Sequence, residues 1–145
     1  MEENLRIAQI NGQRSKLVMW EIRKIIEELK LDIICIQEPY VVNSHIPFMP
    51  LRSRQILYGN KAMAATVIIN EKLQVVNIAQ FMDTHVNCLE IIHRHGSVIL
   101  VNYYFQFSWE IEPFLNKLQN IHSKFRNKEI IHMCDCNAKS TWWFS

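Results

Sequence analysis

Two acids stand where an apolar run gives way to a loop. Glu38 follows LDIICIQ and precedes Pro39, and Asp135 follows EIIHMC. A carboxylate at the carboxyl end of a buried strand is where α/β folds place functional groups, although a solvated strand-end Glu explains Glu38 taken alone. Asn11 ends an earlier β-compatible run and is followed by Gly12, a pair that also serves as ordinary turn chemistry. In His132-Met133-Cys134-Asp135-Cys136-Asn137 a strand period of two puts Met133, Asp135 and Asn137 on one side and His132, Cys134 and Cys136 on the other. The first set offers a carboxylate and a carboxamide to one site. The second offers zinc ligands, but no CxxC or HxxxH partner exists elsewhere and His93-x-His95 complements it poorly. The expectation is that these three pack against a helix and hold no zinc. Tyr103 and Tyr104 end another strand, so alternation sends one hydroxyl to each face, to reach a phosphate or to pack in the sheet.

Between Pro39 and Asn70 there is no Asp or Glu, while Arg52, Arg54 and Lys61 sit among Tyr40, His45, Phe48 and Tyr58. A polyanion path and an ordinary solvated loop both fit these residues. The net charge of +2 is milder than the bias of a dedicated DNA-binding domain.

These residues need elements to position them. Leu5 to Ile10 reads as a strand. Ser15 then precedes Val18, Ile22, Ile25, Ile26 and Leu29, one face of an amphipathic helix capped by Ser15. Leu31 to Gln37 suits a strand buried on both faces, which completes a βαβ opening. Ala64 to Ile69 and Leu73 to Ala79 flank Asn70-Glu71-Lys72, and Val86 to Arg94 and Val98 to Phe105 flank His95-Gly96-Ser97, predicting two hairpins. A second helix is expected from about Ser108, with Ile111, Phe114, Leu115, Leu118, Ile121, His122 and Phe125 at helical spacing and Pro113 in its first turn. Glu129 to Cys134 is one more strand. The pattern predicts an α/β fold of two face-to-face sheets under outer helices.

The chain has 145 residues, 49% of them hydrophobic and 21% charged, with only three Gly and four Pro, which excludes a disordered, collagen-like or low-complexity chain. A single domain is expected over residues 1–145. No apolar run reaches the roughly 18 to 20 residues of a membrane span, and the N-terminus lacks a signal-peptide pattern, so a soluble, non-secreted protein without a membrane partner is expected. Four cysteines, two of them one residue apart, fit free thiols in a reducing compartment. Trp142, Trp143 and Phe144 stand at the end with no following element to cover them, the expectation for a domain whose C-terminal part is missing.

Asn11 after the first strand, Gln37-Glu38-Pro39 after the second, Tyr104 at a later strand end and Asp135-Cys136-Asn137-Ala138 after EIIHMC follow an order that resembles the endonuclease/exonuclease/phosphatase family. More narrowly, LRIAQIN, CIQEPY and DCNAKSTWW look like the endonuclease domain of insect non-LTR retrotransposons. The resemblance implies a metal-dependent phosphodiesterase that nicks DNA to prime reverse transcription, with a reverse transcriptase domain as its partner in the intact element and a nuclear location there, cytoplasmic otherwise. It implies that Glu38 and Asn11 hold magnesium, with manganese as the alternative cation. Asp135 would activate the attacking water, Asn137 would donate to the phosphoryl oxygens and Tyr104 would contact the phosphate. Cys134 stands where the family has Gly, and Trp143-Phe144-Ser145 stands where it has Trp-Gly-Ser. The family's later Asp and His fall beyond Ser145, so the chain is expected to be a poor enzyme. The alternatives are a catalytically dead remnant that binds nucleic acid or a protein, and the same chemistry on a small phosphoester.

Overall fold

The computed structural model describes residues 4–105 and 110–136, with the Cys136 side chain left aside. Strand β1 (Ile7–Asn11) leads into helix α1 (Lys16–Leu29) and returns as β2 (Ile33–Gln37), which pairs parallel with β1. Ser15 caps α1, its Oγ accepting the Val18 N–H at 3.2 Å, and Lys30 ends the helix in the left-handed region. The helix buries Met19, Ile22 and Ile26 against Ile34, Ile36, Ala65 and Val67. The other faces of β2 and β4 (Ala64–Ile68) turn inward, where Ile33, Cys35 and Ile68 join the larger core. A short β3 (Arg54–Ile56) completes a first sheet in the order β1-β2-β4-β3.

The second sheet contains β5 (Gln74–Asn77), β6 (Val86–His93), β7 (Gly96–Phe105) and β8 (Glu129–Cys136), in that order. A 3-10 turn at Ala79–Phe81 separates β5 from β6. Helix α2 (Ile111–Lys124) covers the outer face of this sheet, where Phe114 meets Tyr103 and Phe105 edge to face, each at 4.9 Å between ring centres. The architecture is the α/β two-sheet sandwich read from the sequence. β6 and β7 form the expected hairpin about a turn at Arg94 and His95, with Gly96 at φ 141° opening β7 opposite His93.

The other expected hairpin does not form. β4 is already paired with β2 on one edge and β3 on the other, so it has no free edge for β5. The Ile69 and Asn70 N–H groups donate to the Asp32 carbonyl at 2.8 and 3.2 Å, holding the end of β4 in the first sheet while the turn beyond Asn70 carries the chain to the second. β3, three residues of which two are polar, has no alternation that would show a strand in the sequence. Cys35 and Cys88 are free and buried, their thiols pushed up by burial to about 12 and about 11. Cys134 is disulfide-bonded, which corrects the expectation of four free thiols. Asn137, Trp142, Trp143, Phe144 and the start expected for α2 at Ser108 lie outside the described residues.

Polar side chains connect the sheets through the core. Gln37 Nε2 donates to Asn102 Oδ1 at 2.7 Å, Asn102 Nδ2 donates to the Ala65 carbonyl at 2.8 Å and to Thr66 Oγ1 at 3.1 Å, and Thr66 Oγ1 donates to Asn87 Oδ1 at 2.7 Å. All four side chains belong to fully buried residues, so removing one member strands its partners. Asn102→Leu is therefore expected to cost on the order of 3 kcal/mol, read as a lower urea midpoint. On the outer side, His132 of β8 places its Nε2 2.9 Å from His122 Nε2 of α2, and Tyr103 Oη lies 3.2 Å from its Nδ1. Burial, with His122 beside it, holds the His132 imidazole below its usual value. As pH falls below about 6.5, the unfolded chain takes up a proton that the folded chain resists, so stability should fall. His122→Gln should flatten that part of the pH–stability curve.

Candidate active site

The loop after β1 is built for a close approach. The Gly12 N–H donates to the Gln37 carbonyl at 2.7 Å, and a Cβ on Gly12 would sit 2.7 Å from the Glu38 carbonyl oxygen. Only glycine lets the two strand ends come this near. Gln13, Arg14 and Glu38 all adopt left-handed backbone, at φ 55°, 50° and 52°. None of them is glycine, and Glu38 also precedes Pro39, so the conformation is strained. The Glu38 N–H is held by the Met63 carbonyl and the Glu38 carbonyl by the Arg14 N–H, each at 2.9 Å.

This backbone delivers three sequence-predicted side chains to one point. Asn11 Oδ1 accepts the Gln13 N–H at 2.8 Å, which fixes the orientation of its amide. Its Nδ2 then donates to Glu38 Oε2 at 2.9 Å and to Asp135 Oδ2 at 2.6 Å. Acids from different sheets thus converge on a single neutral donor. Tyr104 stands in register with Asp135 on the neighbouring strand, and the strand period puts it on the inward face that Asn102 uses. Tyr103 takes the opposite face, toward α2, and burial pushes its hydroxyl up to about 12. Asn137 lies just beyond the described residues.

The three cations do not come together. Arg54 pairs in register with Ile68, and Ile68 with Ile33, which places it at the end of the sheet remote from Glu38. Its guanidinium donates to the Val75 carbonyl at 3.4 Å and to Asn77 Oδ1 at 3.2 Å. Arg52 meets Glu71 at 3.5 Å, near that same end. Lys61 is exposed in the loop leading into β4, at the acid end.

Sequence reasoning missed two features beside the acids. Arg14 lies 3.9 Å from Glu38 Oε1 and also reaches Met63 Sδ at 3.0 Å. An exposed ridge pairs Trp20 with Phe48 edge to face at 5.4 Å, with Lys24 over the Trp20 ring and Lys16 over Phe48. Phe48 is held at φ 70°, and its carbonyl accepts from Arg23 at 2.9 Å. The available signal was Trp20 itself, which falls off the apolar stripe of α1 and between Lys16 and Lys24 on its polar face.

The donor set fits a hard divalent cation. The Glu38 and Asp135 carboxylates face the point, where Asn11 presents its Nδ2; half a turn of that amide would present Oδ1 to a cation instead. Among the described residues no three His, Cys, Asp or Glu side chains cluster, so a cation held by Glu38 and Asn11 would complete its shell with water, as magnesium does. The strain at Glu38 gives a test of why the residue is there. Glu38→Gly should be more stable than Glu38→Ala by about 1 kcal/mol in urea unfolding, because only glycine relieves the left-handed backbone.

No protein-family model matches the sequence, and no curated protein matches it. Among solved structures, the endonuclease domain of TRAS1, a telomere-specific non-LTR retrotransposon, matches 97% of the chain at 30% identity with a TM-score of 0.81. The chain spans 62% of that domain, less than two thirds of its length. TDP2 from C. elegans matches 94% of the chain at 16% identity with a TM-score of 0.60, the chain spanning 50% of it. An endonuclease/exonuclease/phosphatase family protein from Leptotrichia buccalis matches 92% at 15% identity with a TM-score of 0.56, the chain spanning 67% of it. These last two likenesses concern the fold, whereas the TRAS1 likeness extends to sequence. The two sheets pack as in these proteins and Asn11, Glu38 and Asp135 gather at the strand ends, so the chain has the fold of the endonuclease/exonuclease/phosphatase proteins and is similar in sequence to the TRAS1 endonuclease domain.

Proposed function

We propose that the chain carries the site of a magnesium-dependent DNA endonuclease of the retrotransposon type, with manganese as the alternative cation. The observation that supports this most directly is the convergence of Glu38 and Asp135 on the Asn11 amide, with Tyr104 in register beside Asp135. Glu38 and Asn11 would hold the cation. When bound, it supplies charge neutralisation at the phosphate and at the leaving oxygen. Asp135 orients a water and takes its proton as the oxygen attacks phosphorus. Tyr104 and Asn137 donate hydrogen bonds to the phosphoryl oxygens as negative charge builds up. The P–O3′ bond breaks, the 5′ phosphate keeps the attacking oxygen, and the departing 3′ oxygen takes a proton from water to become the 3′ hydroxyl that a reverse transcriptase in an intact element would extend.

The surface favours DNA over a small phosphoester. Lys61, Arg14 and Lys16 lie toward the acid end, and the Trp20–Phe48 ridge beside Lys16 offers aromatic faces to bases and cations to phosphates. Arg52 and Arg54 would meet only DNA that continues to the far edge of the first sheet.

In magnesium the chain should convert supercoiled plasmid to open circles slowly, and EDTA should stop the conversion. Glu38→Ala should remove magnesium dependence, and Asp135→Asn should lower the rate by roughly 10²- to 10⁴-fold without weakening cation binding. Nicking that persists in EDTA or in Asp135→Asn would contradict the reading. DNA binding without nicking would support the binding-only alternative.

A further inference from the structure

The two sheets meet at the acid end through a bend of three residues, Asp83, Thr84 and His85. Its carbonyls face different sheets. The Thr84 carbonyl accepts the Met63 and Ala64 N–H groups at 2.6 and 3.2 Å, and the Met63 carbonyl in turn accepts the Glu38 N–H at 2.9 Å. The His85 carbonyl accepts the Tyr104 N–H at 3.0 Å. A continuous backbone path therefore runs from Glu38 through Met63 and the bend to Tyr104, which is in register with Asp135.

The bend is anchored by a charge from another element. Asp83 Oδ1 accepts the His85 N–H at 2.8 Å, closing the bend on itself, while Asp83 Oδ2 takes the ammonium of Lys117 from α2. Burial alone would raise the Asp83 carboxyl, but the Lys117 ammonium and the His85 N–H outweigh it and hold the group below its usual value. The Asp83 carboxylate is thus charged at neutral pH. The side chains are 44% and 32% exposed, so the pair adds little to global stability, about 1 kcal/mol at most. Its importance lies in where it sits, on the only bend among the described residues that hydrogen-bonds toward both Glu38 and Tyr104.

We propose that Asp83 and Lys117 form a positioning pair that sets where Tyr104 and Asp135 stand relative to Glu38. This rests on the nuclease reading for its consequence in catalysis, but not for its structural content. Lys117 is a positioning residue and touches none of the reacting atoms. When its ammonium is lost, the bend gains freedom, and the two halves of the site drift in separation although every residue of the site is intact. A displacement of this kind acts on turnover more than on substrate binding.

The test uses Lys117, because Asp83 also builds the bend. In Lys117→Met, amide hydrogen exchange at Met63, Ala64 and Tyr104 should quicken by at least about tenfold, while exchange at Ile34 and Cys35 in β2 stays unchanged. On plasmid, kcat should fall by about tenfold or more with KM little altered, and Lys117→Arg should restore both exchange and kcat. Unchanged exchange at those three amides would overturn the proposal, as would loosened amides with an undiminished kcat. Should the wild-type chain nick nothing, the nuclease reading fails, and exchange alone decides the pairing: loosening confined to the bend sustains it, and uniform or absent loosening overturns it.

Discussion

The buried hydrogen bond between Gln37 and Asn102 is the contact on which the arrangement of this molecule most depends. Apolar packing between two sheets is tolerant of sliding, because one methyl group serves nearly as well as the next. A carboxamide pair in a dry core is not tolerant, since a slip leaves donors and acceptors unpaired at a cost of about 1–3 kcal/mol each. Gln37 is the residue before Glu38, and Asn102 lies two before Tyr104 on the same face of β7. Fixing the 2.7 Å bond therefore fixes which strand end of the first sheet faces which strand end of the second. Thr66 and Asn87 extend the same constraint across the neighbouring strands.

Above this network the backbone is held under strain. Gln13, Arg14 and Glu38 occupy the left-handed region, each at a cost of about 1–2 kcal/mol for an L residue. The hydrogen bonds from Gly12 to Gln37 and from Arg14 to Glu38 offset part of this, and they form only because position 12 has no side chain. Strain of this kind persists where the surroundings over-determine it. Here it aims the Glu38 carboxylate at the Asn11 amide, across from Asp135.

Much of this was legible in the sequence, and the exceptions are instructive. The Ser15 cap, the βαβ opening and the β6–β7 hairpin follow from local patterns that tertiary structure had no reason to overrule. The pairing of β4 with β5 failed because adjacency in sequence says nothing about whether an edge is free, and β4 had none. Alternation placed Asp135 and His132 on opposite faces of β8, as Asn11 and His122 now show. The acids were findable because the short motifs around them resemble those of a known family in order and in place at strand ends, whereas position alone reads Glu38 equally as a solvated strand-end Glu. The spread of Arg52, Arg54 and Lys61 to different ends of a sheet was not, because a charge count along a loop holds no information about how the loop is laid over the fold. Arg14 and the Trp20–Phe48 ridge were missed because their meaning lies in neighbours brought from other elements.

The Asn11 amide marks a point between the sheets at which Glu38 and Asn11 of the first would hold one hard cation, facing Asp135 of the second. Crystals of the chain soaked in manganese, with data collected for anomalous scattering, test it most directly. A peak is expected within coordination distance of Glu38 and Asn11 oxygens, on the side facing Asp135, and it should disappear in Glu38→Ala. A peak confined to other residues, or one unchanged by that substitution, would contradict it.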